Sequence, residues 1–329
     1  MGFKSVLRQH LSPQNFERAR RIRQWLLKPM HSSTSHNPAS AGVSPAPSAP
    51  TASTAPVTLS QMREALGAAG LKRGDVVLVH SSANTLIKSG SLERRDDATP
   101  TGVVQYSAAV IDMLLDYLGP DGTLLMPTEG MGDVQEFSRN GKVFDSTKVP
   151  SNRGLITELF RRRSGVVRSV HPWYNLAGCG PLAAELIKDH AKAAPYTMDS
   201  NSPWHKLNDV GGKVVMLGTG FDCNSLIHLP EYVYGQEYPR AIYYNRFFPL
   251  KYRDVDGSVQ SMDVAIHIPN WRSGEVTRFC RHLQEKYAIY RIVPLGTADL
   301  ICYDAVAQYD ALCREMHANV CWYDVRHWN

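Results

Sequence analysis

The sequence predicts an α/β fold, a three-layer α/β/α sandwich with a small antiparallel addition. Three observations predict it. Continuous apolar runs recur at 76–79, 124–126 and 214–217, and a strand whose apolar residues do not alternate with polar ones is covered on both faces. Between the runs lie stretches whose apolar residues repeat at helical spacing, as expected of helices flanking a central sheet. The interval 240–270 departs from this pattern and carries Asp256-Gly257, a hairpin signal, so it reads as an antiparallel pair apart from the main sheet.

The elements follow in order. Thr58 and Gln61 form a capping box that opens a helix through QMREALGAA, stopped before Gly70. LKRGD turns the chain into the buried strand 76–79, which ends at His80. Val103, Val110, Met113, Leu114 and Leu118 give the stripe of a helix over 103–118. Residues 119–122 turn, and TLLMP is the next strand, stopped by Pro127. ITELFRRR and LAAELIKDH read as helices, and KVVMLGTG as a strand ending in a glycine-flanked loop. After AIYRIVPLG, the segment ADLICYDAVAQYDALCREMH reads as one long helix.

Composition divides the 329 residues into three parts. A basic N-terminal arm, 1–30, carries seven Lys and Arg against Glu17, with a candidate short helix at 16–27 suited to docking on a protein or membrane surface. Residues 31–56 hold five prolines and no Asp, Glu, Lys or Arg, the composition of a flexible linker. The folded body is expected over 57–329. The formal charge of +5 belongs to the arm, so the near-neutral body offers no footprint for nucleic acid. No run of 18 apolar residues suggests a membrane span, and no apolar stretch follows the basic start as in a secretory signal. Six irregularly spaced cysteines without a C-x-x-C pair are expected to be free thiols, in keeping with a cytoplasmic protein.

Three constellations carry chemistry. VLVHSSAN (77–84) places His80, Ser81, Ser82 and Ala83 at the end of a buried strand, where ligands sit in α/β folds. Its loop amides could hold a thioester carbonyl or a phosphate, or its serines could simply cap a helix. RSVHPWYNL (168–176) holds His171 before Pro172, which restricts its backbone. A rigid imidazole suits a general base, though a His-Pro pair also occurs in ordinary loops. HLPE (228–231) sets His228 and Glu231 three apart, on one face of any helix starting there. Glu231 could orient His171 from another element or neutralise a substrate ammonium, and a metal site would lack a third ligand nearby. There is no G-x-x-x-x-G-K-[ST] loop, no G-x-G-x-x-G and no G-x-S-x-G elbow. Arg161, Arg162 and Arg163 could reach a coenzyme phosphate or form a solvated helix face.

Seven segments in order resemble the aminoglycoside 3-N-acetyltransferase family: VHSS (79–82), GTLLMPT (122–128), FRRRSGVVRSVHP (160–172), SPWHKL (202–207), GGKVVMLGTG (211–220), IHLPE (227–231) and VPLGTA (293–298). The resemblance implies the α/β/α fold and acetyl transfer from acetyl-coenzyme A to an amine of an aminoglycoside or related amino sugar, with no metal. It implies His171 as general base supported by Glu231, and His80, Ser81, Ser82, Ala83, Arg168 and Ser169 beside the coenzyme. Glu129, Asn175 and His228 are implied on the acceptor side. A homo-oligomer is compatible with it. Two stretches depart from the family pattern: Trp173-Tyr174-Asn175 follows His-Pro where threonine and serine are usual, and VPSNRG (149–154) puts Arg153 before Gly154. Arg153 works against a polycationic acceptor. The rival readings are an amino-sugar acetyltransferase of polysaccharide or natural-product synthesis, a coenzyme A thioester hydrolase, and a catalytically degenerate coenzyme-binding scaffold.

Overall fold

The computed structural model describes residues 57–88, 100–268 and 273–327. The arm and the linker expected at 1–30 and 31–56 lie outside the described residues.

Helix α1 (Leu59–Ala68) starts as the capping box predicts. The Thr58 hydroxyl accepts from the Gln61 amide at 3.2 Å, and the Gln61 side chain accepts from the Thr58 amide at 2.8 Å. Then come β1 (Val76–Ser81), α2 (Ala83–Lys88), α3 (Pro100–Leu118), β2 (Thr123–Pro127), α4 (Val134–Asn140), β3 (Val143–Phe144) and α5 (Leu155–Arg161). The middle of the chain adds β4 (Val167–Arg168), β5 (Leu176–Cys179), α6 (Ala183–Ile187), α7 (Pro203–Asp209), β6 (Lys213–Leu217) and α8 (Leu229–Tyr234). The last third supplies β7 (Phe248–Arg253), β8 (Val259–Val264), α9 (Ser273–Tyr287), β9 (Arg291–Leu295), β10 (Ala298–Asp304) and α10 (Ala305–His317).

The main sheet has the order β4-β5-β2-β1-β6-β10-β9. Its centre, β2-β1-β6, is parallel, and the strands to either side join antiparallel. Side chains of a strand alternate between faces, and here both faces are apolar. Val76 and Leu78 of β1, with Val214 and Met216 of β6, pack under α6–α10. Val77, Val79, Val215 and Leu217 pack under α1, α2, α3 and α5. That two-sided burial is the physical content of a three-layer sandwich, and it explains why the central runs carry no alternation.

Two expectations change. The predicted helix 298–317 is half strand: residues 298–304 form β10, antiparallel to β6, and only Ala305 onward is helical. The run Leu300-Ile301-Cys302-Tyr303 is buried on both faces, a demand that a short apolar run meets as readily in a strand as in a helix. The addition is also mixed. β7 and β8 pair antiparallel, with Asp256-Gly257 in their connection, but β3 joins β7 in parallel from far upstream. One face of β7 is exposed in alternation, unlike the central strands. All six cysteines are free, and no described helix is long and apolar enough to cross a membrane.

Candidate active site

β1 delivers His80 and Ser81 to the carboxyl end of the parallel strands, but alternation sends them to opposite faces. His80 shares the face of Val76 and Leu78, where its ring lies 6.3 Å from that of Trp204. Ser81 shares the α5 face. The Nε2 of His80 and the Oγ of Ser81 are buried and make no hydrogen bond among the described residues. Burial, aided by the charge of Arg153, holds the His80 imidazole down to about 3, so it is neutral at ordinary pH. Ser82 has a different task. Its Oγ accepts from the Thr85 amide at 3.3 Å, its own amide donates to the Leu217 carbonyl at 3.1 Å, and Ala83 begins α2. Of the loop amides read as able to hold a thioester carbonyl, that of Ser82 is thus used by the strand-end bond to β6.

The RSVHPWYN loop joins β4 to β5, and most of its polar groups are consumed in building it. The Arg168 guanidinium donates to the side chains of Thr128 and Asn175, to the carbonyls of Ser146 and Val149, and to the carbonyl of Thr128. Ser169 Oγ lies 2.7 Å from His190 Nδ1 and accepts from the His171 amide. Asn175 Oδ1 accepts from Thr128 Oγ1 at 2.8 Å. His171 is fully buried. Its Nε2 lies 3.2 Å from the Ala193 carbonyl, its Nδ1 accepts from the Trp173 amide at 3.0 Å, and its ring stacks on His190 at 4.5 Å. Burial pushes its pKa down to about 4. A base needs a lone pair facing its substrate, and both nitrogens of His171 face the protein backbone. Glu231 does not touch it. Arg168, Ser169, His171 and Asn175 thus direct these hydrogen bonds into the loop itself.

The buried imidazoles make acid stability a test of this packing. His80, His171 and His190 are all held below their ordinary value by burial, whereas the unfolded chain takes up protons from about pH 6.5. Their contribution is full above that pH and is lost as pH falls toward the folded values, by up to about 1.4 kcal/mol per pH unit per histidine. Thermal melts should be flat from pH 8 to 7 and fall steeply between pH 6.5 and 4.5. A melting temperature unchanged down to pH 5 would mean that these rings reach water in the native state.

A second cluster forms where a 3-10 turn (Ser225–His228) runs into α8. His228 Nδ1 lies 2.8 Å from Glu231 Oε2, and the three-residue spacing is what brings them together. His267, from the segment after β8, approaches the same oxygen at 3.0 Å, off the line of a good hydrogen bond, and Trp322 Nε1 donates to Glu231 Oε1 at 2.6 Å. Glu231 is fully buried; burial would raise its pKa, but His228 and His267 outweigh that and hold it at about 2. It is an ionised acceptor wrapped by donors. The His228 side chain keeps 9% of its surface exposed. His228, Glu231 and His267 also have the spacing of a metal-binding group, a third ligand the sequence did not reveal.

Tyr174 ties the two clusters together. Its ring lies 6.4 Å from His228 and 6.1 Å from Trp204, whose Nε1 donates to the Tyr174 carbonyl at 2.6 Å. Its φ of 53° is left-handed, a conformation costing about 1–2 kcal/mol in a residue with a Cβ, and the Trp204 bond helps to hold it. On the other side, Glu129 follows β2 and pairs with Arg153. The two loops lie against each other: a Cβ at Gly130 would meet the Pro150 carbonyl at 1.9 Å, and the Asn152 amide donates to the Glu129 carbonyl at 2.7 Å. Gly154, next to Arg153, has φ 109° and sits near the Ser81 carbonyl. His80, Glu129, Arg153, Tyr174, His228 and Glu231 thus converge around the strand ends. Trp204 stands in the SPWHKL segment, which carried the only sequence signal for it. His267 and Trp322 had none.

The chain matches the aminoglycoside 3-N-acetyltransferase family over residues 78–317. It is 29% identical over 198 residues to the SPbeta prophage-derived aminoglycoside N(3')-acetyltransferase-like protein YokD of Bacillus subtilis, covering 54% of this chain and 66% of that protein. It is 31% identical over 162 residues to aminoglycoside N(3)-acetyltransferase IV of Salmonella sp, covering 49% and 54%. The match therefore spans just under two thirds of the first of these relatives and about half of the second. The fold is similar to that of the aminoglycoside acetyltransferase AAC(3)-IVa apoenzyme, with a TM-score of 0.60 at 25% identity over 80% of this chain and 90% of that one. It is also similar to the binary complex of AAC-IIIb with CoASH, with a TM-score of 0.62 at 22% identity over 80% and 97%.

Proposed function

The chain belongs to the aminoglycoside 3-N-acetyltransferase family, and on that footing we propose that it transfers acetyl from acetyl-coenzyme A to an amine of an aminoglycoside or related amino sugar, with His228 as the base. The observation that carries this reading is the buried His228–Glu231 pair beside Tyr174. Nδ1–H donates to a carboxylate that is ionised at neutral pH, which leaves the basic lone pair on Nε2. His228 takes a proton from the attacking amine, and Glu231 stabilises the imidazolium that results. Glu231 gains from His267 and Trp322 what burial alone would deny it, a stable charge.

Acetyl-coenzyme A supplies the activated acetyl group. The residues present fit it at one point: His80 Nε2 is a buried polar atom at the strand ends with no hydrogen bond among the described residues, and it would line the thioester end of the coenzyme. Tyr174 and Trp204 wall the space between that end and His228. The test is thiol release from acetyl-coenzyme A against aminoglycosides and simple amino sugars, with products identified by mass. Acetylated amine is expected. Thiol release without an amine would make the chain a thioester hydrolase, and absence of both turnover and coenzyme binding would make it a scaffold.

The metal question has its own test. Both Glu231 oxygens already face donors, so its hydrogen bonding is satisfied without a cation. Dialysis against EDTA is expected to leave the rate unchanged. A rate lost to the chelator and restored by zinc would turn His228, Glu231 and His267 into ligands.

A further inference from the structure

The acceptor side of the site contains a charge that the transfer chemistry does not use. Arg153 Nε is spent on Glu129, and its guanidinium makes no other hydrogen bond among the described residues. The Arg153 side chain is 47% exposed, whereas that of Glu129 is 3% exposed. One carboxylate is therefore neutralised in the interior, while the Arg153 side chain that pairs with it stays half-exposed. Both groups act where an acceptor would lie. Glu129 and Glu231 add to the burial that pushes the Tyr174 phenol up, and Arg153 pulls it down, so all three charges act on one hydroxyl. Arg153 also adds to the burial that keeps His80 uncharged. Glu129 is thereby engaged, and the fixed cation beside it repels the ammonium groups of a polycation. The guanidinium fork is instead matched to planar or tetrahedral oxyanions.

We propose that Arg153 makes this site select an acceptor that carries an anionic group as well as its amine, of the phosphorylated or carboxylated amino-sugar class. The amine faces His228 and the anion faces Arg153, on opposite sides of Tyr174. This rests on the acetyl-transfer reading and narrows its substrate. The Glu129 pairing gives Arg153 a second effect. It masks the acid that a polycationic acceptor would need, so one residue attracts the anionic class and excludes the cationic one.

The anion could also be a phosphate of the coenzyme, and the experiment separates the two. The full chain is titrated calorimetrically with glucosamine 6-phosphate, glucosamine and a polycationic aminoglycoside, all in saturating coenzyme A so that the coenzyme's own phosphate contacts are filled. Glucosamine 6-phosphate is expected to bind at least about tenfold more tightly than glucosamine, the scale of one charge-assisted contact. In Arg153→Gln the two should bind within about twofold, Arg153→Lys should keep part of the preference, and the aminoglycoside should gain about tenfold because Glu129 is unmasked. The gain is a readout that a misfolded variant cannot produce. Equal binding of the two sugars by the wild type, or tightest binding of the aminoglycoside, overturns the proposal. So does an Arg153→Gln defect confined to coenzyme A affinity, which assigns the anion to the coenzyme. Failure of the acetyl-transfer reading has a different signature: no thiol release with any acceptor, with the binding preference intact.

Discussion

His228→Ala is expected to lower kcat for acetyl transfer by about 100- to 10,000-fold, the range spanned by a positioned acid–base group. The KM for acetyl-coenzyme A should change little, because the proposed reading has His228 act on the acceptor amine rather than on the coenzyme. Glu231→Gln should cost a large part of the same factor. A neutral amide still accepts a hydrogen bond from Nδ1 but no longer stabilises the imidazolium, and it leaves His267 and Trp322 facing a group without charge. The companion variant is His171→Ala. It opens a cavity against His190 and strands the Trp173 amide and the Ala193 carbonyl, so it should lower the melting temperature while kcat per folded molecule falls far less than in His228→Ala. Steady-state kinetics beside thermal melts decide between the two histidines. A folded His171→Ala enzyme without turnover, next to an active His228→Ala enzyme, would return the base to His171.

The second large effect is on stability. Arg168→Met removes the donor to five acceptors on Thr128, Ser146, Val149 and Asn175, together with its contact over the Phe144 ring. Methionine fills much of the volume but donates nothing, so each buried acceptor keeps its desolvation cost. The loss should be about 3–5 kcal/mol, a fall in melting temperature on the order of 10 °C. Arg168→Lys should recover only part of it, since an ammonium cannot reproduce a planar fork. Differential scanning calorimetry reads both. A loss under about 1 kcal/mol for Arg168→Met would mean that this guanidinium faces solvent or ligand, as the family resemblance implied.

Much of the architecture was legible because its causes are local. The Thr58–Gln61 box closed as its residue types require, and the parallel strands β1 and β6 showed in sequence as runs without alternation because both faces are buried. β10 was misread where a local cause gives two answers: a four-residue apolar run fits a strand or a helix, and only pairing with β6 chooses. The parallel docking of β3 on β7 was invisible for the same reason, since two residues carry no period and their partner lies far along the chain.

The sequence alone determined the layered α/β plan, the strand ends at which His80 is presented, the i,i+3 pairing of His228 with Glu231 and the family to which these segments belong. The tertiary structure decided what each histidine bonds to. His171 and His228 both stand in recognisable motifs, but whether an imidazole spends its nitrogens on the backbone depends on what folds over it, here Ala193 for the one and Glu231 for the other. It also decided the charge of the site. Arg153 finds Glu129 from 24 residues away and Trp322 reaches Glu231 across 91. Electrostatic and hydrogen-bonding partners are set by distance in space, and in this chain that distance is fixed by sheet order and loop packing rather than by position along the sequence.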